Sequence, residues 1–529
     1  MCLFIVYPFY TIITKSVFSN KVEGLTLYNF IRFFTKPYYY QTLLRSLMVC
    51  IATVVTTTII GVPIAYLMTR YNVAGKKLLH IFIIMSLMSP PFIGAYSWII
   101  LLGRNGMLAR LLGLIGLTAP TIYGRNGIIF VFTLHLFPYI YLYTSGAMNS
   151  IDSSLEEAAE NLGMNKLKRI WTITLPVILP SILAGCVMVF MTSLADFGTP
   201  MLLVEGYTVL PVLVYNEYMS ESAVNPYMAS ALSVIIVACS LLVLTFQKLV
   251  IDKRNYQMSS LRPPQETILH GGKRVLVSLP IYIVVFLAFL PQIVVVCQSF
   301  VERSFSGVVK GINLNNYRAI LSRLGTNIRN TYVFSLVAIV FIIVLGILVS
   351  YILVRKKGKV ANLIDTLIMF PYVIPGSVLG IGLIVAFNRK PLMLVGTAAI
   401  MIISYIVRKL PYTVRSGSAF LYQMDPSVEE ASINLGVSPM KTFFTVTARM
   451  MLPGIMSGAV LSWITCINEL SSSIMLYSGK TSTIAVAIYQ EVTRMSDGTA
   501  GALATILTVT TIISLLIVFR ATKGKVKIV

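Results

Sequence analysis

Glu156-Glu157-Ala158-Ala159-Glu160-Asn161-Leu162-Gly163 and Glu429-Glu430-Ala431-Ser432-Ile433-Asn434-Leu435-Gly436 are two versions of one polar segment in a chain that is otherwise mostly apolar. Each follows an aspartate, Asp152 or Asp425, with a serine close behind it. An Asp or Ser in that place caps a helix N-terminus, glutamates suit its positive end, and Gly163 or Gly436 can end it. Each segment is therefore expected to be a short helix lying parallel to a membrane. The small Ala158, Ala159, Ala431 and Ser432 leave it slim enough to enter a groove on a cytosolic partner. One such helix would pass for a capped connector on lipid, but two at matching places need a common reason.

The surroundings are those of a polytopic membrane protein. Of 529 residues, 57% are hydrophobic and 12% charged, and mean hydropathy is +0.83. Such a chain takes lipid as its solvent. Stretches of roughly 20 apolar residues mark about twelve spans, placed at 1–18, 46–69, 78–102, 126–148, 176–197, 227–247, 275–297, 331–354, 362–387, 394–414, 450–470 and 498–519. A net charge of +23 suggests nucleic acid only until the basic residues are located. They cluster between apolar runs, as Arg70/Lys76/Lys77, Lys166/Lys168/Arg169, Arg355/Lys356/Lys357/Lys359 and Arg520/Lys523/Lys525/Lys527. That is a topology signal placing these loops and both termini in the cytoplasm, and no nucleic-acid partner is expected. Cys2, Cys50, Cys186, Cys239, Cys297 and Cys466 stand singly, and His80, His135 and His270 fall in different segments. Neither set has disulfide-framework or metal-ligand spacing.

The polar segments belong to a longer repeat with an offset of about 280 residues. Gly61, Tyr66, Arg70 and Pro90 recur as Gly346, Tyr351, Arg355 and Pro375, and Phe137-Pro138-Tyr139 recurs as Leu410-Pro411-Tyr412. Two parallel six-helix halves follow, related by an axis along the membrane normal. They are residues 1–250, with the polar loop at 149–175, and residues 275–529, with its counterpart at 422–449. A cytoplasmic linker, 251–274, carries Arg262-Pro263-Pro264 and Gly271-Gly272. Tyr7-Pro8 aligns with Leu290-Pro291, before which the second half has more apolar residues. The first span is thus expected either to be short or to begin upstream of Met1. With no small-residue cleavage site following it, it does not read as a secretory signal.

At the polar loops the chain resembles the inner-membrane permeases of binding-protein-dependent ABC importers. Their EAA loop has Glu-Ala-Ala, a Gly six residues after the Glu, and Ile-x-Leu-Pro further on. Glu157-Ala158-Ala159, Gly163, Ile173, Leu175 and Pro176 match throughout. The second copy has Glu430-Ala431-Ser432, Gly436 and Val446, but Ala448-Arg449 where Leu-Pro would stand. The resemblance covers nearly the whole chain and implies the all-α type I (MetI-like) importer permease fold. It implies a bacterial cytoplasmic-membrane subunit that forms a translocation pathway by alternating access. It also implies coupling helices at Glu156, Glu157, Ala158, Ala159, Gly163 and at Glu429, Glu430, Ala431, Ser432, Gly436. Two cytosolic ATP-binding subunits, a homodimer holding ATP and Mg, would seat there, and an extracytoplasmic binding protein would deliver cargo. The chain has no Gly-x-x-x-x-Gly-Lys-Ser/Thr phosphate loop, so it is expected to bind no cofactor and perform no ATP chemistry. An ion-coupled secondary transporter of the major facilitator type shares the two six-helix halves, but predicts no paired Glu-Ala-Ala helices.

Cargo is less legible. The repeat sets Asp196 opposite Glu469, each ending the span after its polar loop. At roughly 1.5 Å per residue they lie near the outer part of the membrane, where a charge must face the bundle interior or a vestibule; a pathway or gate role is expected for them, against helix-end carboxylates held by local hydrogen bonds or basic neighbours. Asp196-Phe197-Gly198-Thr199-Pro200 and Glu469-Leu470 with Ile484 and Tyr489 look like the fused ferric-iron subgroup. That subgroup often has Lys-Glu-Leu-Pro where Asn468-Glu469-Leu470-Ser471 stands here. Relatives of the subgroup are associated with hexose phosphates, organophosphonate, polyamines or thiamine. Paired carboxylates favour a cation. Arg408, with Lys409 and Arg415 nearby, would meet an anion if it pointed inward, or snorkel at the inner face if it did not. Tyr38-Tyr39-Tyr40, Tyr139, Tyr141 and Tyr143 read as interface and packing residues.

Overall fold

Prolines decide where two of the expected spans break. The computed structural model describes residues 2–104, 106–118, 120–219, 225–251, 266–303, 309–356 and 358–521. Most of the expected linker, with Arg262-Pro263-Pro264, and the basic residues Lys357, Lys523, Lys525 and Lys527 lie outside them. Among the described residues, 8 single helices are long and apolar enough to cross a membrane: Pro37–Arg70, Arg125–Asn149, Lys166–Ala195, Pro226–Phe246, Gly271–Ser299, Gly325–Arg355, Pro439–Ile467 and Asp497–Ile517. Each coincides with an expected span. Two bent pairs bring the number up to 10.

The straight helices expected over 78–102 and 362–387 are these bent pairs. Lys76–Met88 meets Pro91–Leu114 at 98°, and Lys359–Tyr372 meets Gly376–Phe387 at 108°. Pro90 and Pro375 sit at the breaks with ψ of 130° and 140°. A proline supplies no N–H and pushes the residue before it out of the helical region, here Ser89 at ψ 145° and Ile374 at ψ 134°. A broken helix at membrane depth is tolerated where protein covers it, and every residue from Gly376 to Phe387 is buried. Two further expected spans differ in another way. Residues 1–18 form the shorter apolar helix Leu3–Ser16, and 394–414 falls in the helix Ala398–Tyr422, too charged at Arg408, Lys409 and Arg415 to read as an apolar span.

The chain divides into two compact units. One comprises Arg32–Leu213 and Ile235–Val294. Its centre is a bundle of the helices Pro37–Arg70, Arg125–Asn149 and Leu175–Ala195. Small residues let helices approach where lipid offers no hydrophobic drive, and a Cβ at Gly61 would stand 2.8 Å from Ile140 Cβ. Trp98, Phe132, Ile140 and Val189 fill the core. The helix Gly271–Ser299 joins this unit: Phe289 packs on Phe82 with ring centroids 4.9 Å apart, and Ser97 Oγ donates to the Pro291 carbonyl at 2.9 Å.

The other unit comprises Met1–Ile31, Val214–Val234 and Val295–Ile528. Gly325–Arg355, Ala398–Tyr422 and Ala448–Ile467 form the same kind of bundle, and a Cβ at Gly346 would stand 2.7 Å from Thr413 Cγ2. The helix Tyr7–Ser16 packs on Gly376–Phe387, with Phe9 against Phe370 at 4.5 Å between centroids. The units therefore do not follow the sequence halves 1–250 and 275–529. The helix Tyr7–Ser16, and the helix Gly271–Ser299 as far as Val294, pack inside the unit built mainly from the other half's spans.

Candidate functional site

Both polar segments fold as short capped helices. In the first, Ser153–Asn161, the Ser154 N–H donates to the Asp152 carboxylate at 2.9 Å. In the second, Ser427–Asn434, the Ser427 N–H donates to Asp425 at 2.9 Å. That N–H, and then the Ser427 hydroxyl, hold the Asp425 carboxyl below the usual carboxylate range. Gly163 and Gly436 end the helices with φ of +78° and +84°, and the next N–H, of Met164 or Val437, reaches back to the Ala159 or Ser432 carbonyl. This is the closing pattern in which a left-handed residue suits glycine.

The paired glutamates that open each segment do different work. Glu156 accepts from Arg70, the last residue of the helix Pro37–Arg70, and from Thr174 Oγ1 at 3.0 Å. Glu429 accepts from Arg355 Nε, at the end of Gly325–Arg355, at 3.1 Å. These are anchors, tying each loop helix to the end of the first helix of its bundle. Glu157 and Glu430 are exposed, as are Ala158 and Ala431. Ala159 is buried, and Ser432 is half-buried with its hydroxyl 3.0 Å from Thr442 Oγ1. Of the four small residues, Ala158 and Ala431 alone present an open face.

Around that face the repeat preserves exposed apolar side chains. Leu162 and Leu435 are 78% and 84% exposed, Trp171 and Phe444 are 68% and 61% exposed, and Leu167 pairs with Met440. Behind them Ile170–Thr174 and Phe443–Thr447 are π-helical turns at equivalent places. The Leu175 N–H reaches the Ile170 carbonyl and the Ala448 N–H reaches that of Phe443, five residues back. Such turns insert one residue and often mark functional positions. The second forms although Arg449 stands where the first copy has Pro176, so the departure from Leu-Pro leaves the backbone unchanged.

Asp196 and Glu469, matched in sequence, diverge in structure. Asp196 follows the helix Leu175–Ala195 and accepts from the N–H groups of Gly198 and Thr199 at 3.1 and 3.4 Å, capping Gly198–Leu203. Glu469 is buried and ion-paired with Arg408 and with Lys409, whose Nζ lies 2.6 Å away. The Ser472 N–H and hydroxyl also donate to it, at 3.1 and 3.2 Å. Arg408 sits ten residues into Ala398–Tyr422, about 15 Å along that helix, and does not snorkel. Arg415 pairs with Asp365 at 3.0 Å. Tyr141 packs as expected, its hydroxyl 2.9 Å from His80 Nδ1. Among the described residues, no three His, Cys, Asp or Glu side chains gather as a metal site.

Sequence reading placed the loops but missed their anchors, because Arg70 and Arg355 read as topology charges. The one available signal was their recurrence at equivalent positions. The exposed apolar pairs could have been found the same way, by asking which hydrophobic residues both copies keep.

The family described as binding-protein-dependent transport system inner membrane component matches residues 11–256 and 342–526. The ferric transport system permease protein FbpB of Actinobacillus pleuropneumoniae is 28% identical over 511 residues, 94% of this chain and 73% of that protein. A putative ferric transport system permease protein FbpB of Haemophilus influenzae is 28% identical over 491 residues, 90% of this chain and 76% of that protein. The molybdenum transport system permease protein ModB of Mycobacterium bovis is 28% identical over 213 residues, 40% of this chain and 78% of its own length.

Proposed function

The chain belongs to the family of binding-protein-dependent transport system inner membrane components, and from that premise we propose that it carries ferric iron inward, driven by two ATP-binding subunits seated on its loop helices. It is a multi-pass importer permease, duplicated within one chain, and its family is not one of enzymes. The observation that carries the coupling role is the repeated loop geometry. Each Arg–Glu anchor fixes a capped helix that offers Glu157 or Glu430, Ala158 or Ala431 and a rim of exposed apolar residues. An ion pair that sets orientation, with an exposed acidic and apolar face beyond it, suits transmission of a partner's movement to the helix behind.

In this reading ATP and Mg belong to the partner subunits, an extracytoplasmic binding protein docks on the opposite side, and both termini are cytoplasmic. ATP binding and docking each favour one of two access states, which is the thermodynamic requirement for alternating access. The ferric assignment is supported by the names of the two relatives that span most of the chain. The test is reconstitution in proteoliposomes with the ATP-binding subunits and the binding protein. Labelled ferric iron is expected to accumulate only with ATP, and Glu157→Ala with Glu430→Ala is expected to abolish stimulated ATP hydrolysis. Uptake without any ATPase, or unchanged coupling in that double variant, would overturn the coupling role. Retention of hexose phosphate, organophosphonate, polyamine or thiamine by the cognate binding protein would overturn the cargo.

A further inference from the structure

Glu469 cannot neutralise both cations beside it. One carboxylate faces Arg408 and Lys409, so by formal charge the cluster holds more positive than negative groups inside a helix bundle. Lys409 closes on one carboxylate oxygen, while the other accepts from Arg408 and twice from Ser472. Among the described residues, Glu469 is the only partner of the Arg408 side chain. A guanidinium has five N–H donors, and most of these are left over. An excess charge in a membrane bundle is costly without a counter-charge.

The neighbours raise the local potential further. Gly376 opens the helix Gly376–Phe387, whose first turn carries unpaired N–H groups and the positive end of its dipole. A Cβ at Gly376 would collide with Arg408 Nη1 and stand 2.7 Å from Ser471 Cβ, so glycine is what lets the guanidinium lie against that turn. Two hydroxyls close by in sequence are spare. Ser377 Oγ, in the same turn, and Ser404 Oγ, one turn before Arg408, are fully buried without a hydrogen-bond partner. The first half has no such site, since His135 and Leu136 stand where Arg408 and Lys409 do, before the Pro-Tyr common to both halves.

We infer that Arg408, the first turn of Gly376–Phe387 and the Ser377 hydroxyl form a subsite for a small oxyanion or carboxylate. The planar guanidinium fork and a helix N-terminus both match that chemistry. The subsite stands without any assumption about iron, whereas its place on the cargo's route rests on the importer reading above. The anion is either itself cargo or an anionic group that travels bound to a ferric ion.

The test begins with the purified full chain in lipid nanodiscs and labelled sulfate at constant ionic strength. Saturable binding is expected, weakened about tenfold in Arg408→Gln, the loss of about one charge-assisted hydrogen bond. Gly376→Ala is expected to weaken it as well. Arg408→Lys keeps the charge and should bind with intermediate affinity, which separates loss of the fork from misfolding. Arg415→Gln should bind as the parent does. No saturable binding by the parent chain, or equal binding by Arg408→Gln, overturns the inference. Proteoliposome uptake with doubly labelled iron and sulfate or citrate then separates the sources: an anion that crosses only with iron is its ligand, and one that crosses alone is cargo. An anion that binds but crosses in neither arm overturns the placement on the route. Failure of iron uptake with anion binding intact counts against ferric cargo alone.

Discussion

The two loop helices share a backbone but not the same number of ties. Glu156 is held by Arg70 and Thr174, and Arg169 adds a bond to the Glu156 carbonyl and an ion pair with Glu160. In the second loop Glu429 is held by Arg355, which also donates to the Met424 carbonyl at 3.4 Å. Thr442 and Ile433 replace Arg169 and Glu160, and the Thr447 hydroxyl, equivalent to that of Thr174, is buried without a partner. Capping and π-helical turns are thus enough to set the shape twice. The side-chain ties determine how stiffly that shape is held, and the first loop is the stiffer.

Removal of the anchors strains this comparison most. Arg355→Met leaves the half-buried Glu429 with no other tie among the described residues and should destabilise the second loop by about 2 kcal/mol, the range for a hydrogen bond to a charged group. Stimulated ATP hydrolysis should fall more than in Arg70→Met, where Thr174 remains on Glu156; equal losses would show that the extra ties are idle. Next come Glu157→Ala and Glu430→Ala. Both are exposed, so each should weaken association with the ATP-binding subunits, read by co-purification, while amide exchange in the loops stays unchanged. A smaller contrast lies in the threonines. Thr174→Val should cost about 1 kcal/mol in the first loop, whereas Thr447→Val, which removes an unpartnered hydroxyl, should cost nothing or stabilise slightly.

The smallest effect concerns the cap at Asp425. Its folded pKa is depressed, so the cap is fully formed above the ordinary carboxylate range and is lost as pH falls through the depressed value. Faster amide exchange at Ser427 in Asp425→Ala, with Ser154 unaffected, would show that the two caps act independently. Acceleration in both loops would break that independence.

Helix class, repeat and loop position were legible because each is written in local sequence. Hydropathy gave the long spans, and the paired Glu-Glu-Ala segments gave the loops. Bent spans were missed because Ser89-Pro90-Pro91 and Ile374-Pro375 interrupt apolar runs without changing their hydropathy. Charge partners were missed for a different reason. Arg70 with Glu156, and Arg408 with Lys409 and Glu469, meet only once helices distant in sequence have packed. Asp196 and Glu469 occupy equivalent positions, yet one caps a short helix while the other sits between cations. Equivalence in a repeat fixes backbone placement and leaves side-chain partners free to diverge.

The exchange of first helices has a consequence for synthesis. The helix Tyr7–Ser16 is made long before Gly376–Phe387, against which it completes its packing and which follows only after the first bundle and the linker have left the ribosome. Until then its partner does not exist, and lipid or an insertion factor must shelter the waiting face. The opposite holds for Gly271–Ser299, which on emerging finds Phe82 and Ser97 already in place. The bundle centred on Pro37–Arg70 is therefore finished before its twin, and the order in which the chain enters the membrane is built into the way its two repeats trade ends.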